Sequence, residues 1–376
     1  VKKIAINTRF LQSSQLEGFG WYTHELVRRM VQSHPEVEFL FLTDRPLDPE
    51  FIYGPNVTVL QLFPRARFAP LFLWWFEWSV RRALIKHGAD VFFSPDSMCS
   101  LWSKVPVVMT CHDLVPLHFP RQVPWIHRYF YLVFLPRYLR RADQVITVSD
   151  YVRRDIIQTV GIPPERVQAI HNGCREGFQP LSAAEKFAVR KQYSLEEPFF
   201  FYAGAIHPRK NIHRLIHAFN LFKERTSAPD KLLLAGRFAW KTGEVKDAYD
   251  ASPYREDIRF LGYVPEEDLP RLTAAATALT YVSISEGFGL PMLEAMHCDT
   301  PVMAANASCL PEIAGEAALL VDPLSIEHMA EGLELLWKDA DLRQELVEKG
   351  RIQRELFSWD KAALSLFNLL GKKAQS

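Results

Sequence analysis

The feature that most limits how this chain can fold is a repeated alternation of short, unbroken apolar runs with stretches whose apolar residues keep helical spacing. In the first half, IAINTRF, EFLFLTD, VTVLQLF, DVFFSP, VPVVMTC and QVITVS are continuous rather than alternating, the pattern of parallel strands covered on both faces. PFFFYAGAI, KLLLAGR, IRFLGYV, ALTYVSI, PVMAAN and AALLVDP repeat the theme in the second half. Between strands, Ile212, Leu215, Ile216, Phe219 and Phe222 recur at helical intervals behind Asn211, which reads as an N-cap. Two such series in 376 residues predict an α/β chain of two doubly wound, Rossmann-like domains.

The expected division is residues 1–180, 181–355 and a C-terminal helix over 356–376. Turn residues in NGCREGFQP give way near residue 180 to the helix-compatible AAEKFAVRKQY. After about residue 340, LRQELVEKGRIQRELFSWDKAALSLFNLL reads as two helices with no further strand, so the last one needs a surface to pack on. In folds of this class ligands sit beyond the carboxyl ends of the strands, and two facing domains make a cleft from two such edges.

Charge and cysteine usage narrow the function. Lys plus Arg equals Asp plus Glu at 44 each, so there is no global basic field and no nucleic-acid partner is expected. The five cysteines (Cys99, Cys111, Cys174, Cys298, Cys309) are odd in number and scattered, without a C-x-x-C pair. They read as free thiols of a reducing compartment. VKKIAINTRF looks like a strand rather than a signal peptide, and no apolar run approaches the roughly 20 residues of a spanning helix. The expectation is a soluble, cytoplasmic protein.

The stretch SEGFGLPMLEAM, residues 285–296, carries the first chemical signal. Pro291 suits the first turn of a helix and the preceding run follows the strand ALTYVSI, so the glycines fall in a strand-to-helix turn. The amides of Gly287, Phe288, Gly289 and Leu290 then stand at the positive end of a helix dipole, able to hold an anion. Glu286 precedes the turn and Glu294 is expected in the first helical turn, both bordering one small volume. A carboxylate repels phosphate but accepts hydrogen bonds from hydroxyls, so acids beside an anion site suit a ligand that is both phosphate and polyol, as a nucleotide-sugar is. The spacing alone leaves open that Glu286 is a solvated loop residue and Glu294 a dipole-complementing acid.

Arg209 and Lys210, just ahead of the helix after Asn211, make a second anion site suited to a diphosphate whose charge grows as the sugar bond breaks. GFGWYT, with Asp44 ending the next strand, invites a dinucleotide reading. Thr23 in place of the third glycine, and the long RFLQSSQLE before the first, count against it. CHDLVPLHF sets His112 and Asp113 at the end of a buried strand; spacing does not decide between a ligand contact and a packed histidine. His217 lies near its helix's apolar stripe and reads as structural. DAD, 339–341, imitates a metal motif but lies between helices and reads as a solvated junction, so no metal is expected. Residues 63–88 combine Trp74, Trp75 and Trp78 with Arg65, Arg67, Arg81, Arg82 and Lys86. That composition suits an interfacial helix and a lipid-linked acceptor, although a covering helix before DVFFSP would bury most of the aromatics.

The pattern from Glu286 to Glu294, filled as EGFGLPMLE and followed by LPEIAGEAALLVDP, resembles the E-x7-E motif of the retaining glycosyltransferases of family 4. GFGWYTHEL, CHDLVPL, TVSDYVRRDI, HNG, YAGAIHPRKNIHRLI and FLGYV fall in the order that family shows, and the likeness spans nearly the whole chain. The wording is nearest to the mannosyl-transferring members. The resemblance implies the GT-B fold, two facing Rossmann-like domains with the last helix crossing back to the first. It implies that His112 and Glu286 hold the transferred sugar, that Glu294 binds ribose hydroxyls, and that Arg209 and Lys210 stabilise the leaving diphosphate. Backbone groups near Val264 would read the base, and Gly18 and Gly20 would form a loop closing on donor phosphates or acceptor. The family pattern often carries a further Arg after the glycine, where this chain has Ala205.

The resulting expectation is a metal-independent, retaining transfer of a sugar, with mannose from GDP-mannose preferred, onto a saccharide or lipid-linked saccharide. The donor would sit in the second domain and the acceptor in the first, with closure near residue 180. A nucleotide-sugar epimerase and a non-catalytic bilobal sugar-binding protein are the rival classes, and a dinucleotide-dependent dehydrogenase stands behind both. The epimerase would convert donor without any acceptor.

Overall fold

The computed structural model describes residues 1–12, 16, 18–66, 68–122, 125–238 and 242–375, with residues 69, 125 and 126 described by their backbone alone. Arg67 lies outside the described residues. The chain divides into two compact units, Val1–Asn172 with Ser358–Ser376, and Gly173–Phe357.

Among the described residues the first unit holds seven strands: β1 (Lys3–Asn7), β2 (Glu38–Thr43), β3 (Val57–Gln61), β4 (Val91–Ser94), β5 (Val107–Cys111), β6 (Gln144–Thr147) and β7 (Val167–Ala169). They pair in the order β3-β2-β1-β4-β5-β6-β7, parallel at every junction. Six of the seven coincide with the continuous apolar runs. The sequence reading missed β7, because three residues of which one is buried leave no apolar run to see. β4, β5 and β6 are buried at every position, as a sheet covered by helices on both faces requires.

The C-terminal helix Trp359–Lys373 belongs to this first unit and packs on the helix Gly18–Ser33. Three contacts fix it: the Trp359 ring meets Tyr22 edge-on at 6.0 Å, His34 stacks on Phe367 at 3.4 Å, and Arg29 donates to Asp360 at 2.6 Å. Ala362, Ala363, Leu366 and Leu370 form its buried stripe, so the surface that this strandless tail needed is a helix more than 300 residues earlier in the chain.

The second unit holds β8 (Phe199–Ala203), β9 (Lys231–Ala235), β10 (Ile258–Gly262), β11 (Ala278–Tyr281), β12 (Val302–Ala305) and β13 (Leu319–Val321). Their order is β10-β9-β8-β11-β12-β13, again parallel throughout. All six coincide with the apolar runs of the second half. The segment 173–180 belongs here, where Phe178 is buried against Ala274 and Cys298.

Two local readings change. Asn211 occupies the N-cap position of the helix Ile212–Thr226, but its side chain caps nothing. It instead donates to the carbonyls of Val282 at 3.2 Å and Pro323 at 2.6 Å, tying three loops together. His217 is exposed on the same helix, between the buried Ile216 and Ala218, so it does not join the apolar stripe. Asp339 of the DAD stretch caps the helix Ala340–Gln353, accepting from the Leu342 amide at 2.9 Å.

Candidate active site

In each sheet the strand order reverses once, between β1 and β4 in the first unit and between β8 and β11 in the second. Open parallel sheets bind ligands just beyond the carboxyl ends of the strands at such a reversal, where the flanking loops turn away from each other. In the second unit those two loops are HPRKN, after β8, and SEGFG, after β11.

The loop after β8 is held by its own backbone and by the loop opposite. Pro208–Lys210 form a 3-10 turn whose first amide, that of Arg209, donates to His207 Nδ1 at 3.5 Å. The Ile284 amide donates to the Arg209 carbonyl at 2.8 Å, and Asn211 reaches the Val282 carbonyl. Both cations are thereby aimed across the reversal. Arg209 Nη1 donates to Glu286 Oε2 and to the Ser285 carbonyl, each at 2.9 Å. Lys210 Nζ donates to Glu286 Oε1 and, at 3.0 Å, to the Tyr281 hydroxyl, with its charge 5.1 Å from the Tyr281 ring centre.

Glu286 is buried, 7 % exposed. Burial alone would raise its pKa, but the charges of Lys210 and Arg209 outweigh it and hold the carboxyl down at about 2. The acid is therefore ionised at neutral pH, and two cations share it. Lys210 is itself 7 % exposed, so the alternative of Glu286 as a solvated loop residue does not hold. The phenols of Tyr281 and Tyr202 are pushed well up, first by burial and then by the Glu286 charge, and stay protonated.

The turn that follows Glu286 is pinned from behind. The Glu286 amide donates to Ser308 Oγ at 3.1 Å, and the buried Cys309 thiol donates to the carbonyls of Glu286 and Phe288, each at 3.2 Å. Phe288 is buried against Phe357, edge-on at 5.6 Å. Gly289 caps the helix Leu290–His297 with φ 102°, a left-handed conformation that favours glycine. The run from Gly287 to Leu290 thus leads into a helix N-terminus, as the sequence predicts.

Glu294 corrects one expectation. It lies in the second turn of that helix, whose first turn holds no acid, so it does not complement the dipole. It is 3 % exposed and paired instead with Arg175, Nε to Oε1 at 2.7 Å. Arg175 also sits over the Phe178 ring at 5.2 Å. The two glutamates therefore answer to different cations. Arg175, Ser308 and Tyr281 carry no site signal in the sequence, and Cys309 reads there only as a free thiol; Arg175 lies in a stretch that reads as a boundary turn, and its only signal is charge. Val264 lies two residues past β10, at the same carboxyl edge.

In the first unit, His112 follows β5 directly. Its Nε2 is 2.8 Å from the Pro95 carbonyl, an acceptor only, so Nε2 carries the proton and Nδ1 keeps a lone pair. Phe19 and Tyr22 meet the ring edge-on, each at 4.7 Å. Burial depresses its pKa to about 4, against smaller opposing effects of the Pro95 carbonyl and the Asp96 charge, so the ring is neutral at pH 7. Gly18 and Gly20 depart from expectation: they are not loop residues but open the helix Gly18–Ser33. A Cβ on Gly20 would stand 2.8 Å from the Phe10 carbonyl oxygen, which is why glycine is needed there. Asp44 is consumed by Arg45, at 2.7 and 3.1 Å, and by the Ala66 amide at 2.8 Å, which removes the ribose-binding acid of the dinucleotide reading.

A fold of two parallel-sheet units, each with charged groups at its reversal, defines a class, and comparison with known proteins supplies it. Residues 16–176 match the family Glycosyltransferase Family 4 and residues 185–353 match Glycosyl transferases group 1. The chain is 32 % identical over 294 residues to O-antigen chain mannosyltransferase B of Escherichia coli, covering 77 % of this chain and 75 % of that protein. It is 29 % identical over 264 residues to the serotype-specific mannosyltransferase WbdA of Escherichia coli, covering 68 % of this chain but only 32 % of that longer protein. Among solved structures, sucrose-phosphate synthase of Thermosynechococcus elongatus superposes with a TM-score of 0.79 at 20 % identity, covering 99 % of both chains. Anabaena Alr3699/HepE, in complex with UDP and glucose, superposes with a TM-score of 0.75 at 20 % identity over 99 % of this chain and 100 % of that one. The chain belongs to the family 4 glycosyltransferases, and its fold is that of the GT-B enzymes.

Proposed function

We propose that this glycosyltransferase moves a hexose, mannose in the first instance, from a nucleotide-diphosphate donor to a saccharide or lipid-linked saccharide acceptor, with retention at the anomeric carbon. The observation that carries the reading is the pair Arg209 and Lys210 on the single carboxylate of Glu286, at the reversal of the second sheet. The two cations stand together on that carboxylate, next to the run from Gly287 to Leu290. A leaving diphosphate gains negative charge as the sugar bond breaks, so preorganised donors at this place favour the transition state over the ground state. These side chains then do the neutralising work that other enzymes assign to a metal.

In the same reading Glu286 accepts from sugar hydroxyls, which carry donors that a buried carboxylate can use. Glu294, held by Arg175, takes the ribose hydroxyls, and backbone groups near Val264 read the base. In the first unit the Nδ1 lone pair of His112 accepts from a hydroxyl of the transferred sugar. The second unit is assigned the donor and the first the acceptor. The mannosyltransferase names of the O-antigen relatives support mannose, hence GDP-mannose, and an acceptor in polysaccharide assembly. HepE, crystallised with UDP, supports a nucleotide-diphosphate donor in this fold. Residues 63–88 are assigned peripheral contact with a membrane that carries the acceptor; no helix among the described residues is long and apolar enough to cross one.

Thermal shift against a panel of nucleotide-sugars tests the donor, because a ligand that binds only the folded form raises the melting point with its concentration. GDP-mannose is expected to give the largest rise. Product anomers followed by NMR test the mechanism, and inversion would discard it. Turnover undiminished by a chelator is expected, and its loss would assign a metal. Conversion of donor without acceptor would favour the epimerase.

A further inference from the structure

We propose that the first unit carries an interfacial platform for an anionic bilayer, assembled from three separate segments by two neighbours on one turn, Glu77 and Ser79. The inference rests on the membrane-contact reading of residues 63–88 and names how that contact is built.

The segment 69–87 is not a regular covering helix. Ala69–Trp74 and Arg81–His87 are α-helical, and Trp75–Val80 between them is a π-helical turn. The extra residue of such a turn shifts the side-chain register, so neighbouring tryptophans part company. Trp75 is fully buried and donates to the Leu62 carbonyl at 3.3 Å, whereas Trp74 and Trp78 are 57 % and 62 % exposed and lie 6.3 Å apart. The burial expected of the aromatics here holds for Trp75 and fails for its two neighbours.

The π turn also gathers the other two segments. Glu77 accepts from Ser100 Oγ at 2.8 Å, from the Leu101 amide at 2.6 Å and from the Trp102 amide at 3.3 Å. Trp102, 66 % exposed, is thereby fixed beside the residue that precedes Trp78. Ser79 Oγ donates to the Phe63 carbonyl, and Phe63 is 83 % exposed. Four large aromatic side chains from three stretches of sequence stand in solvent on one scaffold. Monomeric proteins rarely expose such a set without something to cover it.

Charge identifies the cover. Glu77 is the one acid in residues 63–88, and its oxygens are taken up internally. Among the described residues, Arg65, Arg81, Arg82, Lys86 and Lys104 form no ion pair. Aromatics that favour the headgroup level beside cations without a protein counter-ion match an anionic lipid surface, not a neutral or acidic-lipid-free one.

Sedimentation of the full chain with vesicles of phosphatidylcholine containing about one third phosphatidylglycerol tests this. Binding is expected, and it should weaken with salt and with removal of the phosphatidylglycerol. The double change Arg81→Gln, Arg82→Gln should weaken it about 25-fold, at roughly fivefold per cation. Trp102→Ala, at an exposed position, should keep the melting point and weaken binding roughly tenfold. Glu77→Gln leaves one accepting oxygen where the carboxylate used both and sets an NH2 donor against the donors of Ser100, Leu101 and Trp102, so it should loosen the Trp102 loop. It should then cost as much as Trp102→Ala, and combining the two should cost no more than either alone. If wild type does not bind, the membrane reading itself falls. If wild type binds and the arginine changes weaken it, but Trp102→Ala binds as wild type or the two effects add, the three-segment platform is wrong while the membrane reading stands. A dimer in the absence of vesicles that Trp102→Ala disperses would make a second copy the occupant and overturn the proposal.

Discussion

Each unit spans the reversal of its sheet with a buried cation and carboxylate, but the two arrangements are balanced differently. Across β1 and β4, Arg9 pairs with Asp96 at 2.5 Å, the side chains 5 % and 1 % exposed. Arg9 also donates to Asn7 Oδ1 at 3.2 Å, Ser94 Oγ donates to Asp96 at 2.9 Å, and the guanidinium lies 4.8 Å from the ring centre of Trp75 and 4.9 Å from that of Phe76. One cation meets one anion and aromatic rings close over it. Across β8 and β11, two cations meet one anion, and Arg209 keeps 23 % of its side chain in solvent. A balanced, sealed pair has nothing left to offer a ligand. A partly open group of two cations about one carboxylate keeps Arg209 within reach of solvent and, in the proposed function, of a diphosphate. The same topological position thus serves architecture in one unit and, in the proposed function, chemistry in the other.

The contrast breaks if changes at the Arg9–Asp96 pair alter turnover per folded molecule, or if changes at Arg209, Lys210 and Glu286 alter only stability. The largest effect is expected from Arg9→Met. It strands Asp96 as a buried, unpaired charge and should cost about 3–5 kcal/mol in denaturant unfolding. A loss under about 1 kcal/mol would remove the architectural role. Acid should report the other pair. Because the folded pKa of Glu286 is depressed from 4.5 to about 2, its stabilisation is complete above about pH 4.5 and is lost as pH falls toward 2. The amount is on the order of 3 kcal/mol, and Glu286→Gln should flatten the stability profile in that window.

Lys210→Ala should lower kcat by about 10²-fold or more, near 2.7 kcal/mol, and Arg209→Ala should act in the same direction. Turnover intact in both would end the diphosphate assignment. His112 sharpens the point: with its pKa near 4, no limb of the pH–rate profile near 6.5 should disappear in His112→Gln. The smallest effects separate the two glycines. Gly20→Ala drives a methyl onto the Phe10 carbonyl and should cost about 1–3 kcal/mol in thermal melts. Gly18→Ala meets no atom of the described residues within 4 Å and should stabilise the helix by roughly 0.5–1 kcal/mol. If that stabilised variant also loses turnover, Gly18 serves the ligand rather than the fold.

Much of the fold was legible because strands buried on both faces must be continuously apolar, and such runs stand out against polar surroundings. β7 did not stand out, since a three-residue edge strand buries too little to constrain its composition. The candidate site was partly legible. Glu286, Arg209 and Lys210 announce themselves as charges beside glycine and proline at strand ends. That they neutralise one another is invisible until β8 and β11 are seen to be neighbours, 71 residues apart at Lys210 and Tyr281. Arg175 reaches Glu294 across 119 residues, and Arg9 reaches Asp96 across 87. No local pattern links such partners.

The order of strands and helices, the placing of glycine at Gly289 and the presence of charge at strand ends were determined by the sequence itself, because they follow from burial, backbone strain and chain direction, all local in range. Which charge meets which, that Trp75 is sealed while Trp74 and Trp78 are not, and that Gly18 and Gly20 lie in a helix were decided only by the tertiary structure. The reason is that an ion pair, a π turn and a close backbone approach depend on distances between segments, and those distances are set by how the sheets assemble rather than by the residues that happen to be adjacent in the chain.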